Sequence, residues 1–463
     1  MRNRILHVLL ALSLTIALLF SIASCNNTPD NESIGSQASE QDKDPGNAGG
    51  PSGNKQLSGK LSISQCWNFL YLQGAIDEFT MLHPDVEIVL NKYDSDWEKY
   101  WAQVGAQLIA GTADDILDGS DFSYMDLADR GFLADFFLLM RDDPNFNEDD
   151  YYVNVFKGLE YKGGLYNFPT LFIYNIIGAN NASPDLIGNF RQRDAISNRG
   201  MLDLFNALPD RGGRYVEKNF DAYYIIQNNF SDFVDFENRT CSFNTDKFIR
   251  LLEDAKAATN PIRIEENQLN MTLSGQFPWW ELEEYALQYL FFGTRATSYE
   301  MLYPYADNPF SHFIPVVNEK GNVIHFPLKS FFINENSKNK ELAWEFVKFL
   351  ASPEYIRERD VTIGIPVNKE TFRAHAASYI AFDIEMRQQD HEAIEGEPSD
   401  LAQGIVAAIE GYNNMPMETP GYTFGDSLTE IVNATMYSFY LGVLTAEQAA
   451  SELQNKISLY LME

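Results

Sequence analysis

The chain has 463 residues, 45% hydrophobic and 14% aromatic, with a formal net charge of −32. So acidic a chain carries no basic footprint, which argues against nucleic acid and polyanions as partners. Its three cysteines are Cys25, Cys66 and Cys241; the last two sit far apart in sequence, which leaves a disulfide between them open but unsupported, and both are expected as buried free thiols.

Arg2 and Arg4 precede an apolar run from Ile5 to Phe20, broken only by His7, Ser13 and Thr15. The run falls short of the roughly 20 apolar residues a membrane helix needs. It ends in small residues, as a secretory signal does. Ile22-Ala23-Ser24-Cys25 then resembles the lipobox of bacterial lipoproteins, whose cysteine is lipidated and becomes the mature N-terminus. Ser24 stands where glycine or alanine is usual, and an ordinary secretory signal with an incidental Cys25 is the alternative. Residues 1–24 are read as signal peptide and 25–56 as lipidated cysteine plus linker. The linker is rich in Asn, Ser, Gly and Pro and reads as a flexible tether, since it cannot bury enough surface to offset ordering entropy.

The body from 57 onward is long enough for two lobes. Leu61-Ser62-Ile63-Ser64-Gln65-Cys66-Trp67 alternates and predicts a strand. Ala75, Ile76, Phe79 and Leu82 have helical spacing, ended at His83-Pro84. Val86 to Leu90 reads as a second strand, Trp97 to Ala110 as a helix closed by Gly111, and Asp115 to Asp118 as a third strand. This alternation predicts an α/β fold, a mostly parallel sheet with helices on both faces. Residues 185–295 read as helix-rich and aromatic. His312 to Pro315, Val323 to Phe326 and Phe331 to Ile333 read as strands. Glu341 to Leu350 is a helix with an inward stripe that includes Leu342, Phe346 and Leu350, and Trp344 is assigned to the core. Ser352-Pro353 is read as the start of another helix. Ser427 to Leu461 reads as two amphipathic helices, the second capped by Thr445 with Gln448 reaching back.

Several segments together resemble the extracellular solute-binding proteins of the sugar-binding type, family 1. His83-Pro84-Asp85-Val86-Glu87-Ile88 resembles the family's opening helix-to-strand step. Gln107 to Ile116 resembles its "ala-gly-thr-x-pro-asp-val" step, with Asp114 where the family has proline. Arg130 to Asp135 is similar to its "gly-x-leu-x-asp" turn, and Tyr161 to Pro169 to its "gly-lys-x-tyr-gly-x-pro" hairpin. Asn334 to Leu350, with Ser352-Pro353-Glu354, resembles its "ala-trp-x-phe-x-x-phe-leu" helix. Gly364 to Val367 resembles its re-entry into the second lobe, and Phe292-Gly293-Thr294-Arg295-Ala296 departs most from the pattern. The resemblance implies a two-lobed periplasmic-binding-protein-like fold of type II, with ligand in the cleft and hinge closure around it. Crossings are expected near 165–170, 295–305 and 362–367, making 57–167 with 296–364 one lobe and 168–295 with 365–463 the other. A lipid-anchored monomer on the extracellular face of a bacterial membrane, delivering ligand to ABC permease subunits without a cofactor or metal, is the function implied.

Open α/β sheets bind ligands beyond the carboxyl ends of their strands. The three strand-end loops hold Trp67-Asn68, Asp96-Trp97 with Trp101 one turn on, and Asp118 to Tyr124. Flat rings cover the C–H face of a sugar while acids and amides take its hydroxyls. Trp67, Trp97, Trp101 and Tyr124 are candidate rings, and Asn68, Asp96, Asp118 and Asp121 candidate acceptors. Trp279 and Trp280 are candidates from the second lobe. Each has a structural alternative: Trp67 as lobe core, one of Trp97 and Trp101 as core, one of Trp279 and Trp280 facing away, Asp118 and Asp121 as helix caps.

No phosphate loop, dinucleotide glycine pattern, serine elbow or metalloprotease histidine pair occurs. The acidic run Asp142 to Asp150 lacks the glycine of a calcium loop and reads as a solvated surface. A sugar receptor leads. A receptor for another solute such as a polyamine, a polysaccharide-acting lipoprotein enzyme, and a tethered scaffold that has lost transport stay open.

Overall fold

The computed structural model describes residues 57–66, 72–93, 96–119, 124–208, 215–217, 222–258, 285–292, 310–355, 364–390, 396–420 and 427–462. Cys25, Trp67, Asn68, Asp121, Trp279, Trp280 and the expected crossing near 295–305 lie outside them. Strands β1 (Gly59–Gln65) and β2 (Val86–Lys92) pair in parallel, joined by the helix Leu72–Leu82. β3 (Ile116–Asp118) lies on the other side of β1, reached through the helix Trp97–Ala110. That helix has the expected span and the expected stop at Gly111, φ 70, a left-handed conformation that costs glycine little; Asp96, read from sequence as a ligand acceptor, caps its start.

Two long strands carry the sheet onward. β4 (Phe168–Asn180) has 13 residues, all but one buried, as expected of a strand covered on both faces. At roughly 3.3 Å per residue it spans about 40 Å, enough to leave the first group of strands and enter the second. The remaining strands are β5 (Ile196–Ser197), β6 (Tyr215–Glu217), β7 (Val234–Asp235), β8 (Thr240–Cys241), β9 (Tyr285–Phe292), β10 (Phe310–Val317), β11 (Val323–Ile333), β12 (Ile365–Pro366) and β13 (Met417–Glu418). The sheet runs β2-β1-β3-β11-β10-β4-β9-β6, and β11 also pairs directly with β4. At one end β11 runs antiparallel to β3, with Phe331 opposite Asp118; along its length it pairs with β4 from Phe168 to Tyr174. Sequence patterning expects two strands here, Val323 to Phe326 and Phe331 to Ile333. One continuous strand forms instead, kinked at Lys329, which sits at φ 44, and at Pro327 it pairs opposite Phe172. Thr170 secures the kink by donating its hydroxyl to the Lys329 carbonyl at 2.9 Å. β12 adds against β4 near the same level, at the expected re-entry of Ile365 and Pro366.

Gln56–Glu463 is one compact unit, with two large hydrophobic cores within it. The first unites β1, β3, the helix Leu72–Leu82 and the helix Lys340–Ala351. Trp344 is buried there, its indole N–H donating to Asp143 at 3.0 Å beside Lys348. The second holds Ile314 and Val316 of β10 against the helices Pro184–Phe190, Asp246–Ala258, Ser427–Tyr440 and Ala446–Tyr460. Thr445 and Gln448 form the expected capping box. Alternate residues of β4 face the two cores, Ile176 the first and Ile177 the second.

β10 divides between the two cores, with Phe313 and Val317 in the first and Ile314 and Val316 in the second. The helices Lys369–Asp390 and Pro398–Asn413 pack into the first, where Phe372 meets Tyr152 at 6.2 Å between ring centres. Ser352 to Tyr355 form a bend and turn, and the rest of the helix expected from Ser352-Pro353 lies outside the described residues.

Candidate functional site

The carboxyl ends of β1 and β3 meet at one edge, and the polar groups there serve the fold. Asp118 is wholly buried, and its carboxylate accepts the Cys66 backbone N–H at 3.2 Å. Tyr100 donates its hydroxyl to the Asp118 carbonyl at 3.2 Å and shares a 2.7 Å bond with the buried Ser64 hydroxyl. Burial, then the Asp118 charge, pushes the Tyr100 phenol well above its ordinary value. Asp118 is therefore an internal clamp, not the rim acceptor expected. β3 lies between β1 and β11, so its last residue is roofed on both sides.

Tyr124 is corrected likewise. It is 5% exposed, its hydroxyl donates to the Leu159 carbonyl at 2.6 Å, and its ring lies edge-on to Tyr161 and Phe332. It stands just ahead of the short helix Met125–Asp129. Burial raises its phenol.

Asp96 is half-buried and caps its helix: one carboxylate oxygen accepts the Lys99 backbone N–H at 3.3 Å, and the other meets the Lys99 ammonium at 2.9 Å. These contacts hold its carboxyl below the usual range. Trp101 is half-buried, edge-on to Tyr100 at 4.9 Å and 5.7 Å from Phe332, so it takes the core-facing part of the expected Trp97–Trp101 pair. Trp97 begins the helix, and its side chain lies outside the described residues.

Sequence reasoning missed Tyr93. Its hydroxyl, just past β2, reaches Gln107 at 3.0 Å and Asp114 at 3.1 Å, while Asn91 donates to Asp114 at 2.7 Å. Asp114 stands where the family pattern has proline, and this network is what the change supports. Its neighbour Asp115 accepts the Ser62 backbone N–H at 2.8 Å and the Ser337 hydroxyl at 2.6 Å, tying β1 to the loop that leads into the helix Lys340–Ala351.

A cavity of about 290 Å³ opens elsewhere, where the helix Pro184–Phe190, β10 and the helix Pro398–Asn413 meet. Phe190, Phe313, Ile314 and Ile405 form its apolar wall; Arg191, Arg193, His312 and Tyr412 supply its polar groups. β10 is irregular here: its pairing with β4 shifts between Ser311 and Ile314, and His312 sits at φ 54. Tyr412 donates to the Phe313 carbonyl at 3.3 Å, and Arg191 Nε donates to His312 Nε2 at 3.0 Å. Burial and the Arg191 charge hold His312 below its ordinary value. None of the strand-end candidates lines this cavity, and no sequence spacing links positions so far apart.

Cys66 is buried and Cys241 half-buried, both free, so the second departs from the expected burial; its sulfur lies 3.3 Å from the Ser458 hydroxyl. Among the described residues no group of three or more His, Cys, Asp and Glu side chains is placed to hold a metal ion. No described helix is long and apolar enough to cross a membrane.

No protein-family model and no curated protein matches the chain. Solved structures do. An ABC substrate-binding protein from Listeria monocytogenes in complex with cycloalternan is 16% identical, with 87% of this chain and 99% of that chain covered and a TM-score of 0.51. An extracellular solute-binding protein family 1 member from Alicyclobacillus acidocaldarius is 13% identical, with 89% and 100% covered at a TM-score of 0.58. The sugar-binding protein MalE from Xanthomonas citri is 12% identical, with 87% and 98% covered at a TM-score of 0.60. The sheet order and these likenesses define the class by fold: the chain has the two-lobed periplasmic-binding-protein fold of type II. It is the fold of the family 1 solute-binding proteins, which the sequence segments resemble.

Proposed function

We propose that the chain is a lipid-anchored substrate-binding protein of an ABC importer. It captures a mono- or oligosaccharide between its lobes, closes on it, and presents it to a membrane permease on the outer face of the cytoplasmic membrane. Cys25 carries the anchor and 26–56 the tether; two lipid chains, not one, hold such a body firmly. No bond is made or broken in the ligand.

The observation that carries this reading is the sheet. β1, β2 and β3 bring their carboxyl ends to one edge, beside the crossing strands β4 and β11, in a fold shared with solved proteins described as sugar-binding. The kink at Lys329 and its bond to Thr170 lie in those crossing strands, where a hinge must bend. With Asp118 and Tyr124 committed to the interior, the proposed contacts are Trp67, Asn68, Trp97 and Asp121 on one side and Trp279 and Trp280 on the other. Asp96 and the exposed part of Trp101 border them.

Thermal-shift and calorimetric titration against a panel of mono- and oligosaccharides tests the proposal. A saccharide that stabilises in proportion to its concentration supports it. Stabilisation by spermidine alone replaces the sugar with a cation, and release of reducing ends from a polysaccharide replaces the receptor with an enzyme. Trp67→Ala is expected to weaken the active saccharide more than about ten-fold, roughly 1.4 kcal/mol, with far-UV circular dichroism unchanged.

A further inference from the structure

The cavity between β10 and the helix Pro398–Asn413 combines four features the fold itself does not need. The first is charge. Asp and Glu total 66 against 34 Lys and Arg, yet Arg191 and Arg193 form no ion pair with any described carboxylate. Both are exposed at the mouth of the cavity. Arg191 uses only its Nε on His312, which leaves both Nη groups of the fork for a second, planar acceptor.

The second feature is the bulge. A non-glycine residue in the left-handed region is strained, and β-bulges commonly re-aim a side chain beside a site. At φ 54 the backbone turns His312 out of the strand's alternation and into the cavity. There it accepts from Arg191 and fixes the guanidinium.

The third is a wall of matching shape. Ala408 and the half-buried Tyr412 offer an apolar surface backed by the buried Phe313 and Ile405, and the bond from Tyr412 to the Phe313 carbonyl holds the bulge against the helix. Phe313 in turn lies flat on Gly178, where an added Cβ would come within 2.5 Å of its ring. The fourth is size. At about 290 Å³ the space is at the small end for ligand pockets and suits one ring, not a sugar chain.

We infer that this cavity binds a small organic carboxylate carrying one apolar ring, at a site separate from the strand-end rim. The carboxylate sits on the Arg191 fork with Arg193 beside it; the ring lies against Tyr412 and Ala408. Separation follows from the register: Ile314 pairs opposite Ile177, on the half of β4 beyond the crossing, whereas the rim begins where Asp118 pairs with Phe331. Asp194, whose charge adds to the effect of burial in raising the Tyr412 phenol, is not among the lining groups.

The test is calorimetric and thermal titration of the intact protein with benzoate and with benzamide, which keeps the ring and loses the charge. Benzoate is expected to stabilise with increasing concentration and benzamide not to. Arg191→Gln and Arg193→Gln are each expected to weaken benzoate roughly ten-fold or more. Ala408→Trp, at an exposed helical position lining the cavity, is expected to abolish binding by filling it without touching either arginine. An absent benzoate response, an equal response to benzamide, or benzoate affinity unchanged in the arginine and tryptophan variants each overturns the site. The saccharide titration is read on the same variants. An intact sugar response beside a missing benzoate response discards this site alone, and the reverse discards the sugar reading alone.

Discussion

The two ends of the continuous sheet use polar residues in opposite ways. Where β1, β3 and β11 meet, Asp115, Asp118, Tyr100 and Tyr124 all have partners inside the protein. Where β10 meets the helix Pro398–Asn413, the strand is bulged, His312 is strained, and two arginines face an open cavity. Charge near a strand end is therefore a poor sign of a binding group by itself. What distinguishes a site is polar chemistry that the fold has left over.

Substitutions can break this comparison, and Asp115→Ala is expected to have the largest effect. It strips the Ser62 N–H and the Ser62 and Ser337 hydroxyls of one shared acceptor. Bonds to a charged acceptor contribute more than neutral ones, and the loss should come to about 3–4 kcal/mol in urea unfolding. A loss near zero would mean that the first end is no more internally committed than the second.

Next comes His325, buried between the ends on β11, with neither ring nitrogen at good hydrogen-bond geometry. Burial pushes it from 6.5 down to about 4, the nearby backbone of Glu418 and Val155 offsetting this only in part. A histidine with a depressed folded value is protonated first in the unfolded chain. Stability present at pH 6.5 and above is therefore lost as pH falls towards 4, by about 1.4 kcal/mol per pH unit. Asp232, raised by burial, acts in the opposite sense at the acid end of this window. The measurement is the difference between the stability profiles of wild type and His325→Leu, in which the common carboxylates cancel. Parallel profiles would show that folding leaves the titration of His325 unchanged.

Gly158→Ala is expected to cost about 2 kcal/mol by overpacking. An added Cβ would fall 2.4 Å from His325 Cε1 and 2.9 Å from the Met417 carbonyl. A smaller loss would show that β13 can move away from the helix Val153–Gly158, loosening the seam between the two ends.

The same contrast governs what the sequence reveals. The helix Trp97–Ala110 is legible because its apolar spacing and its stop at Gly111 are local chemistry, as is the Thr445–Gln448 box; its cap at Asp96 is legible too, but its strand-end position reads as that of a ligand group. The parallel order β2-β1-β3 follows from alternating patterns and short connections. β11 is not legible as one strand, because Pro327 and the kink at Lys329 interrupt its pattern while pairing with β4 some 160 residues away keeps it whole. The helix Lys369–Asp390 goes unassigned although Phe372, Ala376, Ile380 and Ile384 repeat at four-residue spacing, a stripe that would have found it. Trp101 packs edge-on against Tyr100, which its spacing from Trp97 allows, but no spacing shows that Asp118 pairs with β11 and is buried. The arginine cavity was invisible for a related reason: Arg191, His312 and Tyr412 are brought together only by the bulge and the packing of a distant helix.

The smallest expected effect is the sharpest probe of the comparison. Arg191→Gln should change stability by no more than about 0.5 kcal/mol, as for an exposed residue outside any core or buried network. It removes one bond to His312 from a group that is otherwise solvated. If urea unfolding instead shows a loss close to that of Asp115→Ala, the guanidinium is holding the bulge in place. The second end would then be as structurally committed as the first, and its charge could not be called left over. A near-silent Arg191→Gln whose benzoate response is lost separates the two ends as stated, because the same side chain then matters to a ligand and not to the fold.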